Sequence, residues 1–350
     1  NLRIAKMLQA NCLLIADIER GGVFAQLVGT LSLMKPKERK LIRGILINRF
    51  RGRRELFEDG KIWLENKTGI PVLGIMPWLN EVFPPEDSLD LLESKVTKKN
   101  AEIEIVVIRL PTISNFSDLD PLQSEETVNL RWVEIGQTIG MPDALIIPGS
   151  KQTISDLSKL FSSGLSDQII DYANKGGNIL GICGGMQMLG RTLEDPIGVE
   201  GNKKNQTSSI VNGLNLLPIH TKFVIEKKLI QQQITVNWPE KVPVIGFELH
   251  HGMSRLVDET NQLVSLEENT SIGWALNKSI DSSSIVGTYL HGILDNGDWR
   301  RLWLNKIRVS KGLKKLPLNQ PHHSSEIDKM INHLADAFEH YVDITPLINE

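Results

Sequence analysis

The chain has 350 residues, a length that predicts two domains. Its formal net charge of −3 indicates neither nucleic acid nor a membrane surface as a partner. Two cysteines in this length argue against a disulfide framework and favour a reducing, cytoplasmic compartment. No apolar run approaches the roughly 18–20 residues of a membrane-spanning helix.

The first part of the chain alternates predicted strands and helices. Its apolar runs, CLLIADI (12–18), RGILINRF (43–50) and IPVLGIMPW (70–78), are continuous, as in strands buried on both faces of a parallel sheet. Helical spacing of apolar residues over 22–34 and 54–68 completes a βαβ pattern. Ligands of such a sheet are expected at the carboxyl ends of its strands.

A polar stretch with two adjacent prolines, residues 80–101, predicts an interdomain linker. A second α/β unit follows, and after residue 210 its strands look antiparallel or mixed. Its clearest strands are at 102–111, 143–149 and 177–183, and helical patterns occupy 297–311 and about 324–341.

The segment GICGG (181–185) places Cys183 between glycines, after an apolar strand and before a predicted helix. This is the pattern of a nucleophile elbow, where a strained turn needs small neighbours. Free N–H groups at the start of the helix favour a thiolate and can bind an oxyanion. A buried structural cysteine fits the motif equally well, as expected for Cys12 within its strand.

A cysteine nucleophile usually works with a histidine base. Among eight histidines, His291 is the strongest candidate because it ends an apolar strand directly before Gly292. His250, at the end of another strand, is the second. The segment LIIPGSKQT (145–153) adds a strand end where Gly149 and Ser150 offer backbone N–H groups, although an ordinary turn with a capping serine explains it too.

Taken together, these motifs resemble known families. PGS (148–150), GICGGMQMLG (181–190) and GTYLHG (287–292) are similar to a triad-type, class I glutamine amidotransferase domain. Further segments resemble the cobyric acid synthase family, so that the resemblance covers nearly the whole chain. These segments are ADIERGGVFAQLVGTL (16–31), GILINRFRG (44–52), TGIPVLGIMPWL (68–79), RLPTISNFSDLDPL (109–122) and GFELHHG (246–252).

The resemblance implies that Cys183 attacks the side-chain amide of glutamine and that His291 is the base. It implies an oxyanion hole made by the backbone N–H groups of Gly149 and Gly184. Gln187, together with Ser150, would bind the substrate glutamine.

This sequence departs from the triad amidotransferase pattern at the residue that orients the histidine. Most triad amidotransferases carry His-x-Glu, but position 293 is Ile here, which fits the cobyric acid subgroup. Glu248 and Asp295 are the candidates for orienting His291.

The other half of the family is an ATP-dependent amide synthetase resembling dethiobiotin synthetase, a P-loop fold. The motif Gly-x-x-x-x-Gly-Lys-Ser/Thr does not occur in this sequence, so we expect a chain that begins after the phosphate cradle. By this reasoning residues 1–79 are the later part of the synthetase domain, 80–101 the linker and 102–343 the amidotransferase domain.

Within residues 1–79 the resemblance suggests three synthetase-site residues. Asn48 is expected near the nucleotide base, and Asp17 and Arg20 near an acyl-phosphate site. A cap or turn residue is the equal alternative for Asp17. No metal site held by protein side chains is predicted.

The implied reaction is amidation of the b, d, e and g carboxylates of adenosylcobyrinic acid a,c-diamide, a corrinoid, in cobalamin biosynthesis. It uses glutamine, ATP and Mg²⁺. The alternatives are a cobyrinic acid a,c-diamide synthase, an amidotransferase for a cell-wall lipid precursor, a one-domain thiol hydrolase, and a non-catalytic fragment with an incomplete ATP site.

Overall fold

The computed structural model describes residues 2–79, 98–200, 209–258, 260–277 and 283–348. Its contacts divide the chain into two compact units: residues 1–83 together with 326–350, and residues 84–325. Most of the predicted linker, residues 80–97, lies outside the described residues.

Strands supply the framework of both units. In chain order they are β1 (Cys12–Asp17), β2 (Ile42–Phe50), β3 (Val72–Pro77), β4 (Ile103–Arg109), β5 (Ile113–Ser114), β6 (Val128–Glu134), β7 (Ala144–Ile147), β8 (Gly149–Ser150), β9 (Asn178–Ile182), β10 (Thr192–Asp195), β11 (Ser209–Asn212), β12 (Ile219–Val236), β13 (Val242–Leu256), β14 (Leu263–Ser265), β15 (Gly273–Asn277), β16 (Ser284–Thr288) and β17 (Leu290–His291).

Helices connect and cover these strands. They are α1 (Leu2–Leu8), α2 (Val23–Leu33), α3 (Pro36–Arg39), α4 (Glu58–Thr68), α5 (Asp120–Ser124), α6 (Thr153–Ser162), α7 (Leu165–Asn174), α8 (Gly184–Leu189), α9 (Gly297–Ser310), α10 (His323–Tyr341) and α11 (Thr345–Ile348). Short 3₁₀ turns occupy Arg54–Phe57, Phe116–Leu119 and Ile293–Asp295.

The first unit contains the parallel sheet that the sequence predicts. Its order is β1-β2-β3, with all described pairings parallel. Apolar residues of α2 and α4, among them Leu27 and Leu64, pack against sheet residues such as Ile45 and Ile47. The continuous apolar runs correctly predict these strands, because both faces of the strands are covered by neighbouring elements.

The C-terminal helix belongs to this first unit. Residues Ala337 and Val342 are buried with Leu46, Leu73 and Met76, and Gly74 forms a bridge with Val342. The sequence-based division placed residues up to 343 in the second unit, whereas the contacts place 326–350 in the first. An amphipathic pattern shows that a helix has a buried face but not which sheet that face covers.

The second unit is built around a sheet with the order β14-β15-β16-β9-β7-β4-β6. The central strands β7, β9 and β16 are buried along their whole length. Strands β16, β9, β7, β4 and β6 are parallel to one another, whereas β14, β15 and β16 pair antiparallel. A second sheet, ordered β11-β10-β12-β13-β17, includes the long antiparallel pair of β12 and β13. Mixed strands after residue 210 are therefore confirmed.

Candidate active site

Cys183 lies on the turn between β9 and α8, in the strand–turn–helix arrangement that the motif predicts. Its backbone has φ 51° and ψ −107°, a strained conformation for a residue with a side chain. The following helix is packed tightly against β7: a Cβ on Gly185 would lie 1.9 Å from the carbonyl oxygen of Ile147. The glycines after Cys183 are therefore required by close packing as well as by the turn.

His291 reaches Cys183 because their strands are neighbours. Strands β9 and β16 pair in parallel, and the Cys183 amide donates to the carbonyl of Thr288 over 2.7 Å. His291 follows Thr288 by three residues, lies in β17 and is fully buried. Its imidazole lies close enough to Cys183 for that side chain to raise the pKa of His291. The thiol also lies 3.6 Å from the carbonyl oxygen of Leu249, to which it can donate.

The carboxylate that holds His291 is Asp118. Its Oδ2 accepts from Nδ1 of the imidazole over 2.7 Å, and its Oδ1 accepts from the backbone N–H of Gly292 over 2.8 Å. One buried carboxylate thus fixes both the ring and the main chain next to it. With Nδ1 bonded to Asp118, Nε2 is the nitrogen left for the thiol.

The pKa of His291 reflects these neighbours. Burial alone lowers it, but the hydrogen bonds and negative charges of Asp118 and Cys183 outweigh burial and raise the pKa to about 10. The imidazolium is therefore the favoured form at neutral pH. A protonated imidazole next to a thiolate is the state needed for attack by sulfur and for later proton donation.

Neither predicted orienting residue contacts the imidazole. The carboxylate of Glu248 is bonded to Nε2 of His250 over 3.0 Å, to Nζ of Lys228 over 2.8 Å and to Gln232. Burial raises the pKa of Glu248, but these partners lower it to about 2. For Asp295, burial first and then the charge of Asp118 raise the pKa to about 7.

Both predictions for the orienting residue were therefore wrong, and sequence reasoning missed Asp118. The only signal was its place in the quoted segment SNFSDLDPL, which sequence reasoning used for the resemblance and not for the site. His250, the second candidate base, does not meet Cys183: its ring stacks on Tyr289 with centroids 3.6 Å apart.

The two glycines predicted to bind the oxyanion lie beside Cys183 and His291. A Cβ on Gly149 would lie 3.4 Å from Cε1 of His291, and one on Gly184 would lie 2.9 Å from the backbone nitrogen of Ser150. The amide nitrogen of Asn115 is 3.1 Å from Nε2 of the imidazole. The structure thus brings the two glycines, the thiol and the imidazole to one place.

The side chains predicted to bind glutamine have partners within the protein. The Gln187 amide donates to the Tyr289 hydroxyl over 3.1 Å and accepts from Thr153 over 3.2 Å. The Ser150 hydroxyl donates to the carboxylate of Asp156 over 2.8 Å. These bonds hold the turn after β8 and the start of α8 in place, and glutamine binding by either side chain stays a prediction.

The synthetase-site candidates are in the first unit, at the carboxyl end of its sheet. Asp17 and Asn48 are register partners on β1 and β2. Asp17 pairs with Arg49 over 3.1 Å and accepts from the backbone of Glu19, which is the behaviour of a turn residue. Arg20 lies exposed in the turn after β1. Among the residues that the structure describes, no set of three or more ionisable ligands could hold a metal ion.

Comparisons with known proteins match two domain families to this chain. A model of CobB/CobQ-like glutamine amidotransferase domains matches residues 104–299, and a model of AAA domains matches residues 1–86. A solved crystal structure of a glutamine amidotransferase is 13% identical, covering 59% of this chain and 98% of its own, at a TM-score of 0.42.

The fold and the two domain matches define an enzyme of the glutamine amidotransferase and ligase type. More narrowly, the chain belongs to the cobyric acid synthase family. Cobyric acid synthase of Prochlorococcus marinus (strain MIT 9313) is 58% identical, covering 99% of this chain and 70% of the relative. The cobyric acid synthase of Synechococcus sp. (strain WH7803) is 55% identical with the same coverage.

In the described part of the chain, we find no helix both long and apolar enough to cross a membrane.

Proposed function

We propose that this chain hydrolyses glutamine at Cys183 and that the ammonia serves the amidation of the b, d, e and g carboxylates of adenosylcobyrinic acid a,c-diamide. The observation that carries the first half is the position of His291, which lies next to Cys183 and is hydrogen-bonded to Asp118. The second half rests on membership of the cobyric acid synthase family.

In the proposed reaction, the Cys183 thiolate attacks the side-chain carbonyl carbon of glutamine. The electron pair of the C=O bond moves to oxygen, where the backbone N–H groups of Gly149 and Gly184 would stabilise it. The His291 imidazolium then protonates the departing nitrogen, which leaves as ammonia while a glutamyl thioester remains. Deprotonated His291 next activates water, which releases glutamate and regenerates the thiol.

The acceptor half of the reaction follows from the resemblance. ATP would activate each corrinoid carboxylate as an acyl phosphate, which ammonia converts to the amide. Asp17, Arg20 and Asn48 remain the candidates for that site, but Asp17 already has Arg49 as a partner. ATP and Mg²⁺ are therefore proposed from the family and not from side chains arranged to receive them.

Replacement of the thiol tests the glutaminase site. In Cys183→Ala we expect glutamate release to fall by more than about 10³-fold, because no covalent intermediate can form. An electrophilic glutamine analogue should label the wild-type chain at Cys183, as read by peptide mass spectrometry.

Cys12→Ala is the matched control, since Cys12 lies in the first unit, where its thiol donates to the Ala10 carbonyl, and its replacement should leave both readouts unchanged. Amide formation from ammonium chloride, in a preparation that carries out the ATP-dependent step, should survive Cys183→Ala. If wild-type protein releases no glutamate and Cys183 stays unlabelled, the non-catalytic alternative holds.

The choice of corrinoid is tested by product mass. Adenosylcobyrinic acid a,c-diamide should gain amides at its four remaining targets, whereas cobyrinic acid should not be amidated at its a and c positions. Amidation at a and c would instead identify a cobyrinic acid a,c-diamide synthase. The 52–58% identity to several cobyric acid synthases favours the first outcome.

A further inference from the structure

The ring of Phe247 covers one face of the His291 imidazole. Their centroids are 5.1 Å apart and their planes differ by 21°. The two residues are register partners across β13 and β17, so the main chain brings the rings together. Gly246 permits this approach, because a Cβ there would lie 2.3 Å from the carbonyl oxygen of His291.

The stacked ring and the hydrogen-bond partners use different parts of the imidazole. Asp118 accepts from Nδ1, and the amide nitrogen of Asn115 lies 3.2 and 3.1 Å from the two ring nitrogens, whereas Phe247 stacks on a face of the ring. The hydrogen bond to Asp118 alone leaves the ring free to tilt about the direction of that bond. A second aromatic ring on its face opposes that tilt.

The contact also has an electrostatic consequence. The face of a phenyl ring carries partial negative charge and attracts a cation within about 6 Å of its centroid. The imidazole is fully buried, so water competes little for its charge, and the imidazolium is the form that Asp118 already favours. An aliphatic residue in place of Phe247 would exclude water equally well but would lack this attraction.

We propose that Phe247 is a positioning residue for glutamine hydrolysis, whose ring fixes the plane of His291 and stabilises the imidazolium formed when Cys183 gives up its proton. This inference rests on the proposed glutaminase function. It assigns to the half-buried Phe247 a part in the chemistry that its apolar character alone would not suggest.

Other ionisable groups near His291 must be separated from this effect. Asp118 and Cys183 act on it directly. Asp120 and Asp295 interact with Asp118, and Arg300 interacts with Asp295. On β13 itself, Glu248 and His250 bond to each other on the buried side. None of these charges changes when Phe247 is replaced by another uncharged residue.

The test is the pH dependence of kcat/KM for glutamine hydrolysis in three variants. Phe247→Leu removes the aromatic face and should lower the apparent pKa of the high-pH limb by about 0.5 to 1.5 units. Phe247→Tyr keeps the ring and should keep the wild-type limb. Ile245→Ala, an exposed residue on the same strand, controls for disturbance of β13 and should leave the limb unchanged.

The outcomes distinguish the inference from the function on which it rests. If wild-type protein releases no glutamate, the proposed function fails. If wild-type protein is active and the high-pH limb of Phe247→Leu has the wild-type pKa, Phe247 acts only through packing and the inference is overturned. Should the leucine variant melt well below Ile245→Ala, Phe247→Met provides a second ring-free variant for the same comparison.

Discussion

At the scale of single residues, Asp118 holds both the imidazole of His291 and the main chain beside it. It binds Nδ1 of the imidazole with one oxygen and the backbone of Gly292 with the other. In triads of this kind the carboxylate selects the tautomer and stabilises the imidazolium. The absence of Glu at position 293 therefore does not leave His291 without a carboxylate.

We predict that Asp118→Asn lowers kcat for glutamine hydrolysis by about 10²–10⁴-fold, because an amide can neither select the tautomer nor balance the imidazolium charge. Steady-state glutamate release measures the loss. Asp120→Asn is the control, since Asp120 is close to Asp118 and does not bond to His291. Similar losses in both variants would count against a specific role for Asp118.

The same substitution has a consequence for stability. The pKa of His291 is raised from 6.5 to about 10 in the folded chain, so its contribution is fully present below pH 6.5 and is lost as pH rises through 10. The stability difference between wild type and Asp118→Asn in urea should therefore shrink over that interval. A difference independent of pH would indicate that Asp118 acts only through packing.

Sequence reasoning reached Cys183 and His291 but not Asp118, and the reason is physical. A nucleophile elbow is local, so its glycines and its strand can be read from neighbouring positions. The contact between His291 and Asp118 joins residues 173 positions apart. Which of several carboxylates arrives there depends on how the turn Phe116–Leu119 packs, and no spacing in the sequence records that.

At the scale of elements, the short helix α8 depends on its contact with β7. All of its residues are buried, and its glycines allow the helix to lie directly on the strand. The continuous apolar runs predicted the strands beneath it well. The apolar runs could not predict how closely α8 approaches β7, because that distance depends on the missing Cβ atoms of the glycines in α8.

We predict that Gly185→Ala destabilises the second unit by about 1–3 kcal/mol and reduces glutamine hydrolysis, because the new Cβ would displace α8 from Ile147. Thermal melting and glutamate release measure the two effects. Gly29→Ala is the control: Gly29 is an exposed helical position in α2 with open space around it, where alanine should be neutral or stabilising. Equal melting of Gly185→Ala and wild type would contradict the packing argument.

At the scale of the whole molecule, the first unit is assembled from two distant parts of the chain. Residues of α10 complete the apolar face of β2 and β3, and the chain then forms a bridge to Gly74. The sequence shows the helix and its apolar stripe clearly. It does not show the partner, because Leu46, Leu73 and Met76 are equally compatible with any covering element.

We predict that Ala337→Arg loosens the first unit selectively, since a charge placed among Leu46, Leu73 and Met76 has no partner and costs at least about 2 kcal/mol. Hydrogen exchange of peptides from β2 and β3 should accelerate, while peptides from β7 and β9 keep their protection. Ile331→Arg, at an exposed position of the same helix, should change neither. Faster exchange in β7 and β9 would mean that the two units unfold together, and unchanged exchange in β2 and β3 would mean that α10 contributes little to the first unit.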